Sequence, residues 1–413
     1  MTWGETEARL WQTETGKELS RIDLYADDAI IHPGGCKLLT REEGNVRLYN
    51  FETGEVLREF ESITGADFIN NGSQLLMWGT TVSLWDVETL QELKRFDHGS
   101  PVDEAETFSD GTRLLTRSGS VLRWWDTEQD KVIKQFEHPS PVIGAQLDIA
   151  SSGLLTWSED GIARLWNLKQ EQKPTEFVHD ETDESSDEVI IGAKLSPAGD
   201  RVLTWGEDLV VRLWNARTGT EQMQFDYGIE NERYAEETDR YDSEILDAKI
   251  FMSESMLLTW GDAMVQSWDI KTGQPLRRFS YSSFKLHDGL VFEDKAFLPG
   301  SDDASVHLVN LKTGEELKQF PHRGWDHSAW RDHSFSMMGA TLSDNNDLLL
   351  SWSDDGIVQL WNLDVSEPIE RRELEWKIQT ATTMNENGEI RALKYDEWIL
   401  LREELRDYGI TRK

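Results

Sequence analysis

The sequence predicts an all-β fold made of small four-stranded antiparallel sheets, each stacked on copies of itself. Three observations predict it. First, a short sentence recurs along the chain: an apolar pair, a Thr or Ser, a polar turn, then Leu-Trp followed by Asn or Asp. Its clearest copies are Leu154-Leu155-Thr156-Trp157 running to Leu165-Trp166-Asn167, Val202-Leu203-Thr204-Trp205 running to Leu213-Trp214-Asn215, and Leu349-Leu350-Ser351-Trp352 running to Leu360-Trp361-Asn362. Second, the residue that ends the third run of each copy, Trp11, Tyr49, Trp85, Trp125, Trp166, Trp214, Trp268, Val309 and Trp361, returns at intervals of 38, 36, 40, 41, 48, 54, 41 and 52 residues. Third, apolar residues alternate with period two over runs of four to six residues, the pattern of strands rather than helices. A unit of this size cannot cover its own apolar faces, so its neighbours must.

One unit illustrates the rest. Residues 191–195, 201–205, 210–214 and 221–225 read as strands a to d, separated by Ser196-Pro197-Ala198-Gly199-Asp200, Gly206-Glu207-Asp208 and Arg217-Thr218-Gly219, whose composition favours tight turns. Each such unit is a blade; blades one to eight carry Tyr49, Trp85, Trp125, Trp166, Trp214, Trp268, Val309 and Trp361. Residues 1–20 read as a partial blade holding strands c and d only. Residues 21–373 hold the eight whole blades. Residues 374–395 form a hairpin around Glu386-Asn387-Gly388 that resembles the missing strands a and b, and pairing it with the N-terminal piece would give nine blades and remove the sheet edges. Residues 396–413 are a short C-terminal helix and tail, the helix covering 396–408 with Trp398, Leu401, Leu405 and Tyr408 on one stripe and Gly409 as its stop.

Residues 155–167, Leu-Thr-Trp-Ser-Glu-Asp-Gly-Ile-Ala-Arg-Leu-Trp-Asn, resemble the strand-turn-strand core of the WD-repeat β-propeller family, with Asn167 where many members have Asp; Asp86, Asp126 and Asp269 keep the acid. The resemblance extends from about residue 2 to 365 and is closest to bacterial WD-repeat arrays. It implies a β-propeller of eight whole blades, or nine with a composite blade from both termini. It also implies a structural hydrogen-bond chain in each blade, from a His before strand a to a Ser or Thr on strand b, an Asp in the next turn and the Trp on strand c. Matched onto this sequence, that chain is His138, Thr156, Asp160 and Trp166 in blade four, Thr204, Asp208 and Trp214 in blade five, and His333, Ser351, Asp355 and Trp361 in blade eight. His179 of blade five precedes an insertion, which leaves its place in the chain open. Blades one, two and seven depart from the pattern at Tyr49, in the short turn Trp78-Gly79-Thr80-Thr81, and at Pro299 and Val309, so they are expected to be the looser part.

Charge narrows the partners. The 413 residues hold 78 acidic and 42 basic side chains, a net charge of −36, which repels nucleic acid and anionic membrane surfaces. The single cysteine, Cys36, fits a reducing compartment; with no leader-like N-terminus and no membrane-length apolar run, the expectation is a soluble, cytoplasmic monomer. The connections from strand d to the next strand a lengthen after Phe177, Phe225 and Phe320, and all emerge at one end of the strands. Residues 180–188 carry six acids and no base, and residues 226–244 carry eight acids against Arg233 and Arg240. The second segment spaces Tyr227, Tyr234 and Tyr241 seven apart; the third offers Arg323, Trp325, Trp330 and Arg331, residue types enriched at interface hot spots. These seven are the candidate partner-binding residues, facing another protein with a basic surface. The alternatives for these loops are solvated acidic segments that keep the chain soluble, and Trp325 and Trp330 packed over the blades. No calcium loop is present, and the spacing of His322, His327 and His333 suits no common zinc site, so no metal or cofactor is expected.

A Ser or Thr, His and Asp in one unit resembles a nucleophilic triad, but the set recurs in several blades whereas an active site is built once. The expected function is therefore a non-catalytic protein-protein scaffold acting through an acidic and aromatic face, as a regulatory or sensing module. The alternative is a propeller enzyme with an active site in the axial channel.

Overall fold

The computed structural model describes the chain apart from residues 4–6, 13–15, 25, 43, 108–110, 149–152, 171, 180–189, 228–244, 252–254, 262–263, 281–289, 293–294, 300–304, 322–336, 344–347, 354–356, 364–381, 385–389 and 393–413. The described residues are all-β, with no helix, and form seven four-stranded, two three-stranded and one two-stranded antiparallel sheet, each built from consecutive strands. The expected helix at 396–408 lies outside them.

Blade one comprises Asp28–Ile31, Lys37–Glu42, Asn45–Asn50 and Val56–Phe60, and blade two Ile63–Ile69, Gln74–Gly79, Val82–Asp86 and Glu92–Phe96. Blade three comprises Glu104–Thr107, Arg113–Ser118, Val121–Asp126 and Lys131–Glu137; blade four Val142–Asp148, Gly153–Ser158, Ile162–Asn167 and Thr175–Val178. Blade five is Ile190–Leu195, Arg201–Gly206, Val210–Asn215 and Glu221–Asp226, and blade six is Ile245–Ile250, Met256–Gly261, Met264–Asp269 and Pro275–Ser280. Blade seven is Val291–Phe292, Lys295–Pro299, Ser305–Asn310 and Glu316–Pro321; blade eight shows strands a to c, Met337–Leu342, Leu348–Ser353 and Val358–Asn362.

The ends differ from expectation. The N-terminal piece has three strands, because Thr2–Trp3 pairs with Glu7–Gln12 ahead of Lys17–Asp23, aligning Thr2 with Arg9 and Trp3 with Ala8. The physical reason is that Thr2-Trp3 repeats the end of a strand b, and Thr2 Oγ1 accepts the Trp11 indole N–H at 2.8 Å as its counterparts do elsewhere. At the other end Thr382–Met384 pairs with Ile390–Ala392; the rest of residues 374–395 lies outside the described residues.

Contacts divide the chain into two compact units, Met1–Ala296 with Leu308–Leu317, and Phe297–His307 with Lys318–Lys413. In the first, consecutive blades are joined by three recurring devices. Phe at the end of strand d packs edge-on against the strand c Trp of the next blade: Phe60 on Trp85, Phe96 on Trp125, Phe136 on Trp166, Phe177 on Trp214 and Phe225 on Trp268, with centroids 5.2–6.1 Å apart. Two residues earlier, a polar side chain reaches the next blade's c–d turn: Ser20 to the Phe51 carbonyl, Arg58 to Leu90, Lys94 to Thr127, Lys134 to Asn167 and Arg277 to Thr313. In blades one to four, the residue after the strand b Thr or Met holds a carbonyl at or beside the start of the next strand a, as Arg41 does with Thr64 (3.0 Å), Trp78 with Asp103 (3.2 Å), Arg117 with Val142 (2.8 Å) and Trp157 with Ile191 (3.2 Å). The second unit repeats the aromatic device, Phe320 lying on Trp361 at 5.6 Å.

Candidate functional site

The recurring polar chain is assembled on strands b and c, whose antiparallel register sets Thr156 opposite Arg164 and Thr204 opposite Arg212. The indole N–H of each strand c Trp then donates to the Thr or Ser of strand b. The distances are 2.9 Å for Trp166–Thr156, 2.8 Å for Trp214–Thr204 and 2.9 Å for Trp361–Ser351. Trp125–Thr116 (2.8 Å) and Trp268–Thr259 (2.9 Å) add two pairs that the family match did not single out. Blade two has Met77 where blades three to six have Thr, and Ser83 on strand c takes the Trp85 indole instead, at 2.9 Å.

Blade five holds the whole chain. His179 belongs to it: the ring bonds Thr204 Oγ1 through Nδ1 (2.7 Å) and Asp208 through Nε2 (3.2 Å), and Arg212 clamps the same carboxylate at 2.5 Å. Burial opposes ionisation of Asp208, but the hydrogen bonds from His179 and Arg212 outweigh it and hold the carboxyl below its usual range. In blade four His138 Nε2 meets Thr156 Oγ1 at 2.8 Å, yet Asp160 does not complete the chain. Its oxygens are taken by Ser158 (2.6 Å) and by Arg164 (2.7 Å), and His138 Nδ1 is left buried with no partner. An Arg–Asp pair stands where the His–Asp link was expected: Ser158 at the end of strand b takes Asp160 Oδ1, where blade five has Gly206 with no side chain to compete, and Arg164 takes the other oxygen. His333 and Asp355 lie outside the described residues.

Sequence reasoning missed His98. It occupies in blade three the place of His138 and His179, is 2% exposed, and has no partner at either ring nitrogen. The blade's turn, Ser118-Gly119-Ser120, carries no Asp, and Arg123 of strand c donates to the His98 carbonyl instead. The signal was legible: His98, like His138, stands two residues after the last strand d Phe.

Thr156 and Thr204 are fully buried, and each accepts an indole N–H while bonded to an imidazole. The recess lined by Asp28, Ile30, Leu39, Thr40, Arg41, Val46 and Ala66 has a volume of about 10 Å³, room for about one water. Among the described residues no group of three or more His, Cys, Asp or Glu could hold a metal ion, and no helix is long and apolar enough to cross a membrane.

Of the candidate partner-binding residues, Tyr227 is a correction: it is 1% exposed, sits in the core shared by blades five and six, and its hydroxyl donates to the Met264 carbonyl at 2.7 Å. An aromatic ring following Asp226 in a strand d continues into the core once its hydroxyl finds a carbonyl. Tyr234, Tyr241, Arg323, Trp325, Trp330 and Arg331 lie outside the described residues.

Charge is segregated between the two ends of the strands. The end formed by b–c turns and d–a connections exposes Asp97, Asp103, Glu137, Glu159, Glu207 and Asp226, and its described connections contain no Lys or Arg. The opposite end mixes signs: Lys169, Lys173, Arg217, Lys271 and Lys312 are exposed there beside Glu52, Glu88, Glu128 and Asp130.

No protein-family model matches this chain, and no curated protein does. Among solved structures it is similar to the crystal structure of the computationally designed Ika8 protein, at 17% sequence identity and a TM-score of 0.48, over 79% of this chain and 93% of that one.

Proposed function

We propose that the chain is a WD-repeat β-propeller of eight or nine blades that works as a non-catalytic protein-binding scaffold, monomeric and cytoplasmic, with its acidic strand end as the docking face for a basic partner. The single observation that carries this reading is the segregation of charge: at one end of the strands the described connections expose acids and contain no Lys or Arg, while the other end is mixed. A one-signed surface steers an oppositely charged partner and raises its association rate. The engaged state of every buried hydroxyl in the polar chain supports the non-catalytic part. In sequence, residues 180–188 and 226–244 add six and eight acids between a strand d and the next strand a.

The test is a comparison of what the intact protein and the variant Asp97→Lys/Glu137→Lys/Glu159→Lys/Glu207→Lys retain from native extract at low and at high salt. Loss of the retained proteins in the variant, and in the wild type at high salt, is expected. The same proteins held by both at both salt concentrations defeat the reading.

A further inference from the structure

The three histidines that precede strands a of blades three, four and five are buried alike, at 2%, 7% and 3% exposure, but are partnered differently. His179 has Thr204 on Nδ1, while its Nε2 lies 3.2 Å from an Asp208 oxygen and 2.7 Å from Arg212 Nη1, so a second proton meets a carboxylate bonded to the ring. His138 has Thr156 on Nε2 and nothing on Nδ1, and His98 has nothing on either nitrogen. All three face an Arg of strand c, and they differ in whether a carboxylate bonds the ring. His98 faces the Arg123 guanidinium from strand c, with Asp97 on its own segment and Asp103 at the entry to strand a. Asp103 is already engaged by the Gly119 amide at 2.8 Å. His138 faces Arg164 from strand c and Asp160 from the b–c turn, and Asp160 is held by that same Arg164. A proton added to either ring places a cation in a buried site beside an Arg, with no carboxylate bonded to the ring as Asp208 is to His179.

We propose that His98 and His138 form an acid-triggered release: when their rings take up a proton, connections 97–103 and 137–141 detach from blades three and four, while 178–179 stays bound to blade five through Asp208. The direction follows from linkage. Burial first, and then Arg164, lowers the His138 pKa from 6.5 to about 4; burial and Arg123 lower that of His98 as well. The opened state, with an ordinary imidazole, binds the proton first, so the closed state is fully favoured above about pH 6.5 and loses ground as the pH falls towards 4. For His138 alone the ratio of open to closed rises about 30-fold between pH 7.5 and pH 5. Connections 97–103 and 137–141 carry Asp97, Asp103 and Glu137, so a partner docked there would be released too; that consequence rests on the docking reading, whereas the opening does not.

Hydrogen-deuterium exchange on the intact chain at about pH 7.5 and about pH 5, corrected for the intrinsic exchange rate, tests it. Protection of residues 97–103 and 137–141 is expected to fall, by about 30-fold at the second, while residues 178–179 keep theirs. Equal loss at all three places, or no loss at the first two, overturns the proposal in the wild type alone. The variant His98→Gln/His138→Gln removes both titrating rings and is expected to lose the pH dependence; retention of it is equally fatal.

Discussion

At the scale of single residues, the repeat is held by steric and polar conditions. The residue after the strand b Thr in blades four, five and eight, and after Met77 in blade two, is a Trp whose ring lies over a strand a glycine. A Cβ on Gly65, Gly144, Gly192 or Gly339 falls 2.1–2.3 Å from Trp78, Trp157, Trp205 or Trp352 respectively. Gly192 is therefore required by the close approach of the indole, and Trp205, 4% exposed, has nowhere to go. Gly192→Ala is expected to cost about 2–3 kcal/mol by overpacking, measured as a lower denaturant midpoint at unchanged slope. Most of that cost should vanish in a Trp205→Leu background; an undiminished cost there means that the strain lies elsewhere. The Asn or Asp after each strand c Trp has an equally local role. Asn215 Oδ1 accepts the amides of Arg217 and Thr218 at 3.0 Å each, as Asp269 does those of Lys271 and Thr272 at 2.9 and 3.0 Å, so the turn needs an acceptor and not a charge. That is why Asn stands where the acid was expected.

At the scale of elements, each sheet depends on the next. The Phe–Trp pairs join strand d of one blade to strand c of its successor, and Phe177 on Trp214 is flanked by Leu155, Ala163, Ala193 and Val202 in one buried cluster. Phe177→Ala should cost about 3–5 kcal/mol, and a cycle with Trp214→Phe should leave a coupling of about 0.5–1.5 kcal/mol, the range for edge-to-face pairs. A coupling of zero would mean that the two rings are merely neighbours in a core. Much of this level was legible in the sequence: the strands of blade five and the c–d turns follow from alternation and from Thr-Gly punctuation. The joints between blades were not, because a period-two pattern says which face is buried and nothing of what buries it. The same gap hid His98, whose turn lacks the Asp that marks the motif, and exposed Tyr227 as a false docking residue, since a ring beyond the end of a strand reads alike whether it points to solvent or to a neighbouring core. The third strand at the N-terminus escaped because only Thr2 and Trp3 of it are present.

At the scale of the whole chain, the dominant quantity is the net charge of −36, and it acts in two opposed ways. Acids gathered at one end of the strands repel one another across neighbouring blades and weaken the fold, while the same field attracts a basic partner. Local pairs offset little of the repulsion, since exposed ion pairs such as Arg95–Glu92 and Arg47–Glu59 contribute little. Added salt should therefore raise stability and lower affinity together. Raising ionic strength from about 0.01 M to about 0.1 M shortens the screening length from about 30 Å to about 10 Å. A thermal scan at neutral pH should show the unfolding midpoint rising by a few degrees over that range, while retention of a basic partner falls. A midpoint that drops with salt would mean that attractive pairs outweigh the repulsion, and the acidic end would then be a neutralised surface with no field left to steer a partner.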